Sequence, residues 1–373
     1  MKLLLIGERY SENLGDAVIC ETVKKLIQKN FNSVEIVDFD ISGRSDYNNY
    51  YSVRDLQRNS CPGYKNVFAT VLLRKLFVGT SINLRRYLRV LLNLNEHLFY
   101  NKFDIVLFAG GALFQDYFAD LIYCIVKKCS TECSVINFHA CGLGKLSNYS
   151  KYILKKAFTL NNVKDISVRD SYDKFVQFFG NENKVHSTYD TALCCNEFYE
   201  KSKKIIAEYG IGCIDCKDTF FIQKEIIQVI MNSGVSWKIF TNGASYDEDI
   251  VDRLLKELGI FDRRDEFVIS RAMNAKSLAT NITSFKKIIS FRLHSHIIAA
   301  SFGIPSYGFA WDLKVKEFFM KIGIPELCKE LNQEILYDNI FREMRSYPQN
   351  MEEKIMEQAN LSKKDLYRQV IKY

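Results

Sequence analysis

Residues 288–311 read IISFRLHSHIIAASFGIPSYGFAW. The spacing predicts a buried strand over Ile288–Leu293, a helix over His294–Phe302, and a second strand in PSYGFAW, beyond the turn residues Gly303 and Pro305. Arg292 and His294 then stand at the carboxyl end of the first strand. In an open α/β sheet that end binds ligands, because helix N-termini meet there with backbone N–H groups free to face an anion. His296 lies two residues further on, roughly 200° around the helix from His294, and reads as structural. A plainer alternative has Arg292 paired with a carboxylate while His294 and His296 cap the helix or pack.

The same pattern recurs on both sides. KLLLIGE, VEIVDFDI, FDIVLFAGG, SVINFHACG and DISVRD read as strands in the first half; IAEYGIGCI, WKIFTNG, FVISR, KKIISFRLH and PSYGFAW do so in the second. Continuous apolar strands alternating with helices indicate parallel sheets covered on both faces. Apolar content drops over 196–204, which suggests a first domain over 1–195, a second over 205–330, and C-terminal helices over 331–373 packing back on the first. Two such domains facing a cleft make a common small-molecule site.

The chain has 373 residues and a formal net charge of +7. It is long enough for two cores. Its start, MKLLLIGERYSENLGD, reaches Glu8 too early for a signal peptide, and no apolar run approaches about 18 residues, so a cytoplasmic protein is expected. Eleven cysteines without a framework fit reduced thiols, and Cys213 and Cys216 in CIDC lack the second pair that a zinc site needs. No metal is expected. The positive charge concentrates between Lys65 and Lys102, where Lys65, Arg74, Lys75, Arg85, Arg86, Arg89 and Lys102 face Glu96 alone. This insertion reads as amphipathic helix with a basic edge, suited either to an anionic membrane surface or to covering the first core. Its basic residues stand among aliphatics, without the aromatic platform that nucleic-acid binding uses.

Five loops at predicted strand ends carry polar residues. The first holds Asn13, Gly15 and Asp16, with a helix expected from Ala17 and Asp16 as its cap. The second holds Gly110 and Gly111, the third His139, Gly142 and Gly144, the fourth Arg169 and Asp170, and the fifth Asp190. Each admits a plain reading as a tight turn, a cap or a surface ion pair. The chain has no H-E-x-x-H, no G-x-G-x-x-G, no P-loop and no legible Ser-His-Asp order. Arginines, histidines and glycine turns converging at one sheet edge point to an anionic substrate, as a phosphate plus a carboxylate would require.

NLGDAVI, FAGGALFQD, ACGLG, SVRDSYDKF, YDTAL and above all SFRLHSHIIAASFGIPSYGFAWDLKVKEFF resemble the polysaccharide pyruvyl transferase family over roughly Gly7–Phe319. The last stretch supplies the family pattern through Arg292, His294, Gly303, Pro305, Asp312 and Lys314. The resemblance implies an α/β fold of two Rossmann-like domains facing a cleft, GT-B-like. It also implies transfer of a pyruvyl group from phosphoenolpyruvate to two hydroxyls of a sugar on a surface polysaccharide or its lipid-linked precursor. No cofactor is implied. Arg292 and Arg169 would grip the donor and His294 would move protons. Asn13, Gly15, Asp16, Gly110, Gly111, His139, Asp190, Asp312 and Lys314 would line the substrate site. A lipid-linked acceptor would bring the chain to the inner face of the membrane. One alternative is a GT-B glycosyltransferase using a nucleotide sugar, for which Asp312 is the one obvious ribose-binding carboxylate. Another is a non-catalytic sugar-binding relative, against which the intact Arg169, Arg292 and His294 stand.

Overall fold

The strand that ends at Ser290 belongs to the second of two parallel sheets. The computed structural model describes residues 1–47, 84–100, 102–133, 135–180, 183–331 and 337–371. The chain divides into a first unit of residues 1–11, 26–188 and 365–373 and a second of residues 12–25 and 189–364.

The first unit's sheet contains β1 (Lys2–Gly7), β2 (Glu35–Asp40), β3 (Ile105–Ala109), β4 (Val135–Cys141), β5 (Val163–Val168) and β6 (Val185–Ser187). Their order is β2-β1-β3-β4-β5-β6, with parallel pairing throughout. β3 and β4 are buried along their whole lengths, which is why IVLFA and VINFHAC show no polar alternation. Between them and the covering helices an aromatic core forms. Phe108 stacks on Phe138 with ring centroids 4.4 Å apart, and Phe114, Phe158 and Phe175 pack around them. β6 is too short to have been expected from sequence.

Helix Leu84–Tyr100 has the predicted amphipathicity, and its apolar side is in use. Val90, Leu94 and Leu98 are buried in the first core, while Leu92 is 67% exposed. Of the two uses expected for the basic insertion, covering the core therefore accounts for this face. Lys65, Arg74 and Lys75 lie outside the described residues. Among the described residues no helix is long and apolar enough to cross a membrane.

The second unit's sheet contains β7 (Ala207–Gly212), β8 (Trp237–Phe240), β9 (Phe285–Ser290), β10 (Ser306–Ala310) and β11 (Cys328–Glu330) in the order β11-β10-β9-β7-β8, again parallel. FVISR, expected as a strand, forms only an isolated bridge between Val268 and Ile239. Counted from each unit's first strand, the shared part of the two orders is the same, 2-1-3-4-5. The order reverses between β1 and β3 in the first sheet and between β7 and β9 in the second. At such a point neighbouring connections leave toward opposite faces and open a crevice at the strands' carboxyl ends. β9 ends at Ser290, short of the expected Leu293, and the next helix spans Leu293–Ser301. Arg292 is thus the residue capping that helix, with His294 in its first turn.

Two long helices are shared between the units. Helix Leu14–Asn30 gives residues up to Lys25 to the second unit, and helix Met351–Ile371 gives residues from Asp365 onward to the first. In the first unit Gln369 donates to the Phe138 carbonyl at 3.2 Å and to Asp165 at 3.1 Å, and accepts from Asn137 Nδ2 through its own carbonyl at 2.7 Å.

Candidate active site

Arg292 begins at the switch point of the second sheet. Its Nη2 donates to both oxygens of Asp247, at 2.8 and 2.6 Å. Asp247 stands in the first turn of helix Ser245–Glu257, has no solvent exposure, and also accepts the Asp215 N–H at 2.8 Å. Burial pushes the Asp247 carboxyl up, and the Arg292 charge only partly offsets this. For Arg292 burial opposes the charged form, yet Asp247 and Tyr246 outweigh it and raise the pKa. The Tyr246 ring lies 5.8 Å from the guanidinium carbon, and burial pushes its phenol up. Arg292 Nε is buried and has no hydrogen-bond partner among the described residues. The guanidinium is therefore paired with a carboxylate, as in the plainer of the two sequence readings, but not saturated.

His294 is only 5% exposed, with Nε2 3.8 Å from Asp190 Oδ2. Asp190 caps the short 3-10 turn Thr191–Glu197 by accepting the Ala192 N–H at 2.8 Å, which fixes the carboxylate beside the imidazole. On the other side lies Gly15. A Cβ on Gly15 would come 2.1 Å from His294 Nδ1, so only glycine lets the backbone approach the ring. Helix Leu14–Asn30 opens three residues before the expected Ala17, which moves Asp16 from the cap into the first turn, where it accepts from Asn13 Nδ2 at 3.2 Å. The Leu14 N–H donates to the Asn242 carbonyl at 3.0 Å, and Ser295 Oγ donates to Asn242 Oδ1 at 2.8 Å. Asn242 thus ties this helix start to the helix carrying His294. Its Nδ2 is a second buried donor with no partner among the described residues.

His296 has another task. It is fully buried, its Nε2 lies 3.0 Å from the Ser290 carbonyl, and its ring packs edge-on against Phe319. Burial draws its pKa down to about 3, so it is neutral. Asp312 caps helix Leu313–Lys321 by accepting the Lys314 N–H at 3.2 Å, and Lys314 Nζ lies 3.1 Å from the same carboxylate. They form a local pair at the end of β10.

Four expected site residues belong to the first unit. Gly110 and Gly111 turn with positive φ of 50° and 70°, and their loop is bonded to the next through Gly142 N–H to Gly111 O at 2.7 Å. Arg169 is buried with Nε 3.2 Å from Asp170 Oδ2, while Asp170 Oδ1 accepts the Leu143 N–H at 2.8 Å. A Cβ on Gly142 would lie 2.7 Å from Asp170 Oδ2 and 3.1 Å from Arg169 Nε, which explains that glycine. His139 departs from expectation. It lies within β4, fully buried, with Nδ1 3.3 Å from Asp365 Oδ2, so its ring is engaged with the last helix.

Sequence reading passed over Asp247, Asn242 and Tyr246. In TNGASYDEDI, Asp247 looks like any acidic residue complementing a helix N-terminus, and only the fold shows that it faces Arg292. Among the described residues no group of three His, Cys, Asp or Glu side chains could hold a metal ion. Cys213 and Cys216 are free thiols, and burial pushes the Cys213 thiol far up.

A family model described as polysaccharide pyruvyl transferase matches residues 13–312, most of the chain and every residue of the Arg292–His294 constellation. The chain belongs to the polysaccharide pyruvyl transferase family. In this member of the family the match opens at Asn13, beside the helix start that packs on His294, and closes at Asp312. A search of curated proteins finds no match. Solved structures share the fold. A putative UDP-N-acetylglucosamine 2-epimerase from Listeria monocytogenes aligns at TM-score 0.62 and 10% identity, over 99% of this chain and 95% of the other. UDP-GlcNAc 2-epimerase from Neisseria meningitidis, bound to UDP-GlcNAc, aligns at TM-score 0.58 and 12% identity over 100% of both chains. Spinosyn rhamnosyltransferase SpnG aligns at TM-score 0.51 and 11% identity over 100% of both. At this level of identity the likeness is one of fold, and this member of the family has a GT-B-like architecture of two Rossmann-like units.

Proposed function

We propose that this chain transfers a pyruvyl group from phosphoenolpyruvate to two hydroxyls of one sugar in a surface polysaccharide or its lipid-linked precursor, forming a ketal. The observation that carries this reading is Arg292 with its buried, unpartnered Nε, two residues before a buried His294, at the switch point of the second sheet. A donor on a charged side chain left unsatisfied in a buried position is costly unless a ligand completes it. A planar anion such as the carboxylate or phosphate of phosphoenolpyruvate suits a guanidinium.

The chemistry requires proton movement at carbon. C3 of the donor takes up a proton, the first sugar hydroxyl adds to C2, phosphate leaves with the C–O electron pair, and the second hydroxyl closes the ring. Of the two hydroxyl protons, one is balanced by the new methyl group and one leaves with phosphate. Imidazole delivers and accepts protons near neutral pH, which suits His294 to both roles, with Asp190 Oδ2 3.8 Å from its Nε2.

Isothermal calorimetry on the full chain tests the reading. Phosphoenolpyruvate should bind the wild type, and Arg292→Ala should bind it about ten- to a hundredfold more weakly, as expected for loss of a charge-assisted hydrogen bond worth about 1.5–3 kcal/mol. Tight binding of a nucleotide sugar with no heat from phosphoenolpyruvate would make the chain a glycosyltransferase instead.

A further inference from the structure

We infer that Asp247 is the positioning residue for Arg292, holding its guanidinium so that Nε–H, and not the whole group, is offered to an anion. The inference rests on the donor reading above. An arginine side chain has four soft torsions and wanders unless something clamps its end. Here Nη2 sits between both carboxylate oxygens of Asp247, at 2.8 and 2.6 Å. Asp247 is itself fixed: it has no solvent exposure, stands in the first turn of a thirteen-residue helix, and accepts the Asp215 N–H. Tyr246 also hydrogen-bonds the Arg292 side chain, with its ring centroid 5.8 Å from the guanidinium carbon.

Had Asp247 served only to neutralise a buried charge, the fork would be expected to close on both edges, since buried ionic groups are stable only when their remaining donors are satisfied. Nε instead has no partner among the described residues. The same end of the sheet offers a second buried donor without a partner, Nδ2 of Asn242, whose Oδ1 is bonded to Ser295 on the helix that Arg292 caps. Asp247 thus acts through Arg292 and does not touch the donor.

A double-mutant cycle separates positioning from general support of the fold. Affinity for phosphoenolpyruvate is measured by calorimetry on the full chain for wild type, Asp247→Asn, Arg292→Ala and the double variant, with thermal unfolding recorded for each. Asp247→Asn should weaken binding tenfold or more, and in the Arg292→Ala background it should cost nothing further. Asp247→Glu, which keeps a carboxylate on a longer arm, should fall between wild type and Asp247→Asn, and it replaces Asn in the cycle if that variant does not fold. Additive losses, or binding unchanged by Asp247 substitutions, would overturn the inference while leaving the donor reading intact. Failure of the wild type to bind phosphoenolpyruvate would overturn both.

Discussion

At the scale of single residues, the site depends on contacts that tolerate no extra atom. Gly15 meets His294 so closely that Gly15→Ala must displace either the imidazole or the first turn of helix Leu14–Asn30. Turnover should fall by about 10²-fold, a loss typical of misplacing a catalytic group by an ångström, with phosphoenolpyruvate affinity changed much less. His294→Gln should lower turnover by about 10²- to 10⁴-fold, again with modest effect on donor binding, as steady-state kinetics against calorimetric affinity would show. His296 behaves oppositely. Its pKa in the fold, about 3, lies below the ordinary histidine value, so between those pH values the unfolded chain binds the extra proton. The stability it contributes is complete above the ordinary value and is lost as pH falls toward 3, at about 1.4 kcal/mol per pH unit. Denaturant titrations should show His296→Phe flattening that slope. The R-x-H spacing was readable because it fell where an apolar strand gave way to an apolar helix. Asp247 was not, because its partner lies 45 positions away.

At the scale of elements, helix Leu84–Tyr100 shows how far amphipathicity can be read. Its periodicity is plain in sequence, but whether the apolar face meets a core or a bilayer depends on what packs against it. Leu94 is fully buried and Leu92 mostly exposed, so Leu94→Ala should cost about 2–5 kcal/mol in denaturant unfolding and Leu92→Ala less than about 0.5. The basic residues pose a separate test. If the acceptor is lipid-linked, wild type should co-sediment with anionic vesicles at low salt and release at high salt, each basic residue contributing about 1 kcal/mol, while glutamine at Arg74, Lys75, Arg85, Arg86 and Arg89 abolishes binding. Equal behaviour of the two proteins would favour a soluble acceptor. The end of the last helix carries a charge cluster that the sequence hides. Asp365 contacts His186 Nε2 at 2.6 Å, Arg368 Nη2 at 2.8 Å and His139 Nδ1 at 3.3 Å. Burial pushes its carboxyl up, yet these histidines outweigh that and hold it well below the usual carboxylate range. Asp365→Asn should destabilise the first unit by about 1–3 kcal/mol, since it leaves the buried His139 without its carboxylate while His186 and Arg368 keep access to solvent.

At the scale of the molecule, two sheets that share the order 2-1-3-4-5 each place loops at the carboxyl ends of their strands, and the functional reading follows from what those loops carry. Continuous apolar runs made the parallel strands legible. Strand order was not, because it depends on which neighbour each edge accepts. Nor was the exchange of residues 12–25 and 365–373 between units, since helices Leu14–Asn30 and Met351–Ile371 are single uninterrupted elements with no break at the division. The central claim is a transfer, and carbon labelling follows it most directly. Phosphoenolpyruvate labelled with ¹³C at C2 is incubated with the full chain and surface polysaccharide or its lipid-linked precursor, and the product is read by NMR. The account predicts a quaternary ketal carbon bonded to two oxygens of one sugar residue, one phosphate released per ketal, and neither with His294→Ala. Label remaining in phosphoenolpyruvate while a nucleotide sugar is consumed would contradict it.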